Sequence, residues 1–196
     1  MKDSYDRPQT VSQYFETLAR LLSKISSTDA SGTRIFVDAA VTKVIKEIIL
    51  RNKRGNKIML IGNGGSSAIA NHIATDLLKN AQLRALTFTD PSLLTCVSND
   101  LGYEFVFSRP LSLIAKKNDI LFSISSSGNS KNILNATRAA RKIGCFVITL
   151  SGFKENNCLR KMGNVNFYIP SDSYGYVETV HAALCHYLVD ILVKHR

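Results

Sequence analysis

The stretch Lys57-Ile58-Met59-Leu60-Ile61-Gly62-Asn63-Gly64-Gly65-Ser66-Ser67 decides the fold class. Ile58 to Ile61 form a short unbroken apolar run, as a strand buried on both faces of a parallel sheet requires. The glycines end the strand, and the segment after them reads as a helix. Runs of the same kind recur at Leu83 to Phe88, Asp119 to Ser123, Cys145 to Leu150 and Val165 to Ile169, with helical segments between them. This alternation predicts an α/β fold: a parallel sheet with helices on both faces.

Towards the N-terminus, Leu18, Leu21, Leu22 and Ile25 follow helical spacing, as do Phe36, Ala39, Val44, Ile45, Ile48 and Ile49, so two helices precede the first strand. Ser27, Thr28 and Asp29 read as turn and cap between them. The chain divides into an N-terminal helical segment, 1–55, expected to pack on the domain and in an oligomer, and a domain, 56–196, the two forming one structural unit. The last helix, from about Tyr176 to Lys194, ends in basic residues that suit the negative end of its dipole.

With 196 residues, 45% hydrophobic and 20% charged, the composition excludes wholesale disorder and fibrous repeats. A net charge of +10 favours an anionic partner without choosing one. The cations are dispersed and lack interleaved aromatics, which argues against nucleic acid. There is no run of 18 apolar residues, and Met1 to Thr10 is polar, so a cytoplasmic protein without membrane attachment is expected. Cys96, Cys145, Cys158 and Cys185 lack metal or redox spacing and read as idle thiols.

In an open parallel sheet, ligands bind beyond the carboxyl ends of the strands. The first strand delivers Asn63, Gly64, Gly65 and Ser66 to that edge, where glycines let the backbone approach an anion and the following helix offers free N–H groups. The third strand delivers Ser125, Ser126, Ser127, Gly128, Asn129 and Ser130. One serine satisfies a helix cap, so four hydroxyls at one N-terminus exceed what capping needs. Neither loop has the P-loop or dinucleotide-fold spacing. Two such loops at one edge point to phosphate.

Gly62-Asn63-Gly64-Gly65-Ser66 with Ile124-Ser125-Ser126-Ser127-Gly128-Asn129-Ser130 resembles the SIS domain, and specifically its phosphoheptose isomerase branch. The likeness continues through Cys96-Val97-Ser98-Asn99-Asp100, Val147-Ile148-Thr149-Leu150-Ser151-Gly152 and Val177-Glu178-Thr179-Val180-His181, covering nearly the whole chain. It implies a five-stranded parallel sheet in a three-layer αβα sandwich, the flavodoxin-like SIS fold, assembled as homotetramers with active sites shared between subunits. The implied reaction converts sedoheptulose 7-phosphate to D-glycero-D-manno-heptose 7-phosphate, on the way to the heptose of lipopolysaccharide or capsule. Carried over by motif, Ser66, Ser125, Ser126, Ser127 and Ser130 would hold the phosphate in the cradle that includes Asn63 and Gly64, with Asn99 and Asp100 contacting sugar hydroxyls; Glu178 is expected among the substrate-binding residues.

Moving a carbonyl between neighbouring carbons needs a base for a carbon-bound proton and an acid for the oxygen. The helix after the first loop carries His72 and Asp76 at i and i+4, on one face. By motif position Asp76 stands where the family has a catalytic glutamate and His186 where it has a catalytic histidine; Asp76 is assigned as base and His186 as acid, with the roles interchangeable. Glu178 replaces a glutamine common in the family, which marks a variant branch. His72, Asp76, Glu178 and His186 also form a zinc-compatible set, although about 12 Å of helix rise separates Glu178 from His186; the sequence leaves open whether zinc is held. A non-catalytic SIS module that binds a sugar phosphate or a protein, as in replication-initiator-associating regulators, is the competing reading. His181 reads as a packed core residue.

Overall fold

The computed structural model describes residues 10–195, so Arg196 and the polar stretch before Thr10 lie outside the described residues. Helices α1 (Val11–Ser23) and α2 (Val37–Lys53) come first, flanking two short strands, β1 (Ser26–Asp29) and β2 (Arg34–Ile35). The α/β unit follows as β3 (Ile58–Ile61), α3 (Gly64–Lys79), β4 (Ala85–Thr87), α4 (Pro91–Leu101), α5 (Ser108–Ile114), β5 (Ile120–Ser125), α6 (Lys131–Ile143), β6 (Phe146–Ser151), β7 (Val165–Tyr168) and α7 (Tyr174–Lys194). Short 3₁₀ turns occupy Tyr103–Phe105 and Leu159–Lys161.

The sheet order is β2-β1-β7-β6-β5-β3-β4. Strands β7, β6, β5, β3 and β4 are mutually parallel and are the five runs read from the sequence. The sheet nevertheless has seven strands and is mixed, because β1 pairs antiparallel with β7, and β2 with β1. This corrects the expectation of five parallel strands and of a purely helical segment before residue 55. Ser26-Ser27-Thr28-Asp29 carries no apolar signal, yet as a strand it covers the edge of β7 that would otherwise lie open. Its polar atoms are partly met there: Ser27 donates to the Ile35 carbonyl at 2.9 Å, and Asp29 caps the turn through Ser31 and Thr33.

Alternation along the strands fills two cores. Ile58 and Leu60, Ile120, Phe122 and Ile124, and Phe146, Ile148 and Leu150 face α2, α3 and α7. Met59 and Ile61, Leu121, and Val147 face α4, α5 and α6. Both faces are therefore dry, which is why these strands read as unbroken apolar runs. Helix α7 is long and apolar enough to span a bilayer by composition, but here Val177, Val180, Leu184, Leu188 and Leu192 are buried in the protein, as in the core helix of a globular fold. Helix α1 packs on its N-terminal half, where the rings of Tyr14 and Tyr176 stack 4.6 Å apart.

At the amino end of the sheet the buried Asp119 carboxylate accepts from the backbone N–H of Lys57 (3.1 Å) and of Lys116 (2.8 Å) and from Asn56 Nδ2 (3.2 Å), and it pairs with the Lys57 ammonium. This fixes the start of β3 against the start of β5. The parallel register then carries both strands to the same opposite edge, with Ile61 beside Ser123. From β3 the chain proceeds outward to β4, then returns to lay β5 on the other side of β3. The gap between the ends of β3 and β5 is thus the topological switch point, the crevice where open α/β sheets receive ligands.

Candidate active site

Two loops meet at this switch point. Gly62 closes β3 so tightly on the first turn of α3 that a Cβ there would collide with the Ser66 carbonyl, which only glycine avoids. Asn63 occupies the N-cap position of α3 without capping it, and the first turn carries no acidic residue. Ser66 is buried in that turn. Ser130 stands likewise at the N-cap of α6 with no capping bond, and that helix begins with Lys131. No side chain caps either helix from its N-cap position, and Lys131 at α6 adds to the positive end of that dipole, so both N-termini keep a positive potential.

The serine loop is shaped from within. Gly128 has φ +63°, and a side chain there would strike the buried Asn157, whose amide bonds to Ser151, Gly152 and Lys154. Ser125 Oγ accepts from the Gly128 N–H at 3.2 Å and lies 3.4 Å from Ser130 Oγ. Ser127 Oγ accepts from the Asn129 N–H. Ser126 Oγ is buried with no partner, a hydroxyl whose desolvation nothing in the loop offsets.

The loops are locked together. Asn63 Nδ2 donates to Asn132 Oδ1 at 3.0 Å and Asn132 Nδ2 donates back to Asn63 Oδ1 at 2.9 Å. Asn132 Oδ1 also takes the Ile133 N–H, and Tyr103 donates its hydroxyl to Asn63 Oδ1 at 3.1 Å. Asn63, read from the sequence as a substrate contact, therefore spends its amide on holding the two helix N-termini side by side. Asn99 and Asp100 are exposed on the last turn of α4, bonded to each other at 2.9 Å.

The titratable cluster lies along α3 from the loops. His72 Nε2 is 3.2 Å from Asp76 Oδ2, and His186 Nδ1 reaches the same oxygen from α7 at 3.7 Å. The two imidazoles meet edge to face with centroids 5.0 Å apart. One ligand atom from each of the three residues falls within 4.8 Å of the others, and both histidines are exposed. Glu178 is elsewhere: its carboxyl packs on the backbone of Gly65 in the first loop, and burial raises its pKa above the ordinary carboxylate value. Three of the four zinc candidates are thus brought together, and the fourth packs on the glycine loop.

The SIS-domain family pattern matches residues 13–152. The phosphoheptose isomerase of Helicobacter hepaticus is 37% identical over 169 residues, 83% of this chain and 86% of that protein. That of Aliarcobacter butzleri is 33% identical over 199 residues, 98% of this chain and 94% of the relative. The chain belongs to the phosphoheptose isomerase family of SIS-domain proteins. Among solved structures, the phosphoheptose isomerase of Neisseria gonorrhoeae superposes with a TM-score of 0.81 at 28% identity, covering 93% of this chain and 97% of that one.

Set within the phosphoheptose isomerase family, the site also holds residues that sequence reading passed over. Asn132 and Lys131 follow directly on the serine loop, where first-turn position was their signal. Tyr103 and Asn157 had none, since only the fold brings them to the loops. His181 is fully buried, as read: its Nε2 lies 3.2 Å from the Ser151 carbonyl, which makes Nε2 the protonated nitrogen, and burial pushes its pKa down to about 4.

Proposed function

We propose that this protein is an aldose-ketose isomerase that converts sedoheptulose 7-phosphate to D-glycero-D-manno-heptose 7-phosphate through an enediol, in the cytoplasm and in the service of heptose biosynthesis for lipopolysaccharide or capsule. The observation that carries the reading is the cluster of His72 and Asp76, on the helix whose N-terminus forms half of the phosphate cradle, with His186 brought to them by α7. Helical rise puts His72 about 9 Å from Ser66 along α3. An extended seven-carbon phosphate, built of bonds of about 1.5 Å, bridges such a span from its phosphorus to its carbonyl end.

Ser66, Ser125, Ser126, Ser127 and Ser130, with the free N–H groups of α3 and α6, hold the phosphate; Asn99, Asp100 and Glu178 contact the sugar. Asp76 takes a proton from carbon 1 of the ketose while His186 gives one to the carbonyl oxygen at carbon 2. The resulting enediol loses the proton of its carbon 1 hydroxyl and regains the carbon-bound proton at carbon 2, leaving the aldose. His72 orients Asp76. The two carboxylate contacts at 3.2 and 3.7 Å come close to the separation of about 3.3 Å between ligands of tetrahedral zinc, so His72, Asp76 and His186 fit that ion. Zinc held there would polarise the substrate's oxygens.

Exposed Val11, Phe15 and Leu22 on α1 and Phe36 before α2 support assembly into a homotetramer through the N-terminal segment, with sites shared between subunits. The phosphorylated sugar is the partner of this reading; nucleic acid and membrane have no part in it. The relatives favour the enzyme over a binding-only regulator, as does a complete acid-base cluster. Incubation with sedoheptulose 7-phosphate, following loss of the ketose, tests the reading; no turnover with or without added zinc sinks the heptose assignment.

A further inference from the structure

Tyr103 is 57% exposed, so its ring adds little to either core. Its turn is nevertheless firmly held. Gly102 reverses the chain at φ +104°, the next residues Val106 and Phe107 are buried, and Asn135 Nδ2 of α6 donates to the Glu104 carbonyl at 3.1 Å. The turn thus spans from the end of α4, which carries Asn99 and Asp100, to the first turns of α6, which carry the serine loop.

On this support the phenol reaches the Asn63–Asn132 clamp. Asn63 Oδ1 accepts from Asn132 at 2.9 Å and from Tyr103 at 3.1 Å. The Asn132 bond alone satisfies that oxygen, so the Tyr103 hydroxyl is free to leave it. A hydroxyl has one donor and two acceptor sites, and only the donor is spent here. A rigidly mounted, solvent-facing tyrosine with its hydroxyl at the mouth of an anion crevice has the form of a ligand contact, with the amphipathic ring shielding the site and the polar tip addressing it.

We propose that Tyr103 is a further substrate-binding residue, whose hydroxyl, poised on Asn63, addresses a hydroxyl of the sugar. It contacts the carbon chain and not the phosphate, because it follows directly on the end of α4 that carries Asn99 and Asp100, whereas the phosphate donors belong to the two loops themselves. This rests on the phosphate-cradle reading above.

The test compares two ligands by calorimetry on the wild type and on Tyr103→Phe, which keeps the ring and removes the hydroxyl. The expected result is a Kd for sedoheptulose 7-phosphate raised about five- to tenfold, the loss of one hydrogen bond, with the Kd for inorganic phosphate unchanged. In turnover, KM rises by the same factor while kcat stays within twofold. If both ligands weaken equally, Tyr103 is only a brace for the clamp and the proposal falls; it falls equally if neither changes. A wild type that holds neither ligand overturns the cradle itself, an outcome distinct from any property of the variant.

Discussion

The side-chain amides of Asn63 and Asn132 exchange two hydrogen bonds, at 3.0 and 2.9 Å, across the gap between the glycine loop of α3 and the serine loop of α6. They lie 69 residues apart in the chain, and their pairing turns two separate helix N-termini into one cradle. Asn132→Ala removes both bonds and strands the Asn63 amide. A loss of about 1–3 kcal/mol in urea unfolding is expected, with phosphate affinity by calorimetry reduced more than tenfold. Unchanged phosphate affinity would show that the loops do not act together.

Gly62 offers a purely steric test. Its Cα faces the Ser66 carbonyl with no room for a methyl group, so Gly62→Ala must push the first turn of α3 out of place. The cost in stability is about 1–3 kcal/mol, and phosphate binding should be lost altogether. Gly64→Ala meets open space but sits at φ +51°, so it should weaken binding less; the reverse order of severity would contradict the close approach described here.

His181 makes stability depend on pH. It is neutral in the fold with a pKa near 4, against an ordinary value of 6.5, so below about pH 6.5 the unfolded chain binds a proton that the folded chain refuses. Its effect is therefore absent above pH 6.5, and stability falls as pH drops from there towards 4. At roughly 1.4 kcal/mol per pH unit, the descent amounts to about 3 kcal/mol. His181→Gln keeps a donor for the Ser151 carbonyl and lacks the titration. Urea midpoints at pH 7.5 and 5.0 should converge between wild type and variant as pH falls; a constant gap would contradict the buried neutral state.

The separation of Glu178 from the histidine cluster makes a distinction that sequence could not. Zinc affinity by calorimetry should fall at least a hundredfold in Asp76→Asn and in His186→Ala. It should stay within twofold in Glu178→Gln, because that carboxyl lies against Gly65. Loss of zinc in Glu178→Gln would place all four residues on one ion.

The parallel strands and both strand-to-helix loops were legible in the sequence because burial on both faces leaves an apolar run, and a tight turn into a helix leaves glycine and serine. Strand β1 was not, since Ser26 to Asp29 gain their conformation by pairing with β7 and carry no pattern of their own. The same distance hid the clamp: Asn132 reads as an ordinary first-turn residue until Asn63 is beside it. His72 and Asp76 were paired from helical spacing alone, whereas His186 joins them only because α7 packs on α3. Sequence alone groups Glu178 with the same three residues, and its packing on Gly65 comes from the way α7 crosses the first turn of α3.

In the proposed reaction Asp76 and His186 move the protons of a phosphorylated sugar held by the two loops. Its most direct test is the rate at which the purified protein converts sedoheptulose 7-phosphate to the aldose, followed by ³¹P NMR, for wild type, Asp76→Asn and His186→Asn side by side. Steady conversion by the wild type is expected, with a fall of about 10²–10⁴ in kcat for each variant and phosphate affinity kept. Conversion by either variant at the wild-type rate, or none by the wild type, would contradict it.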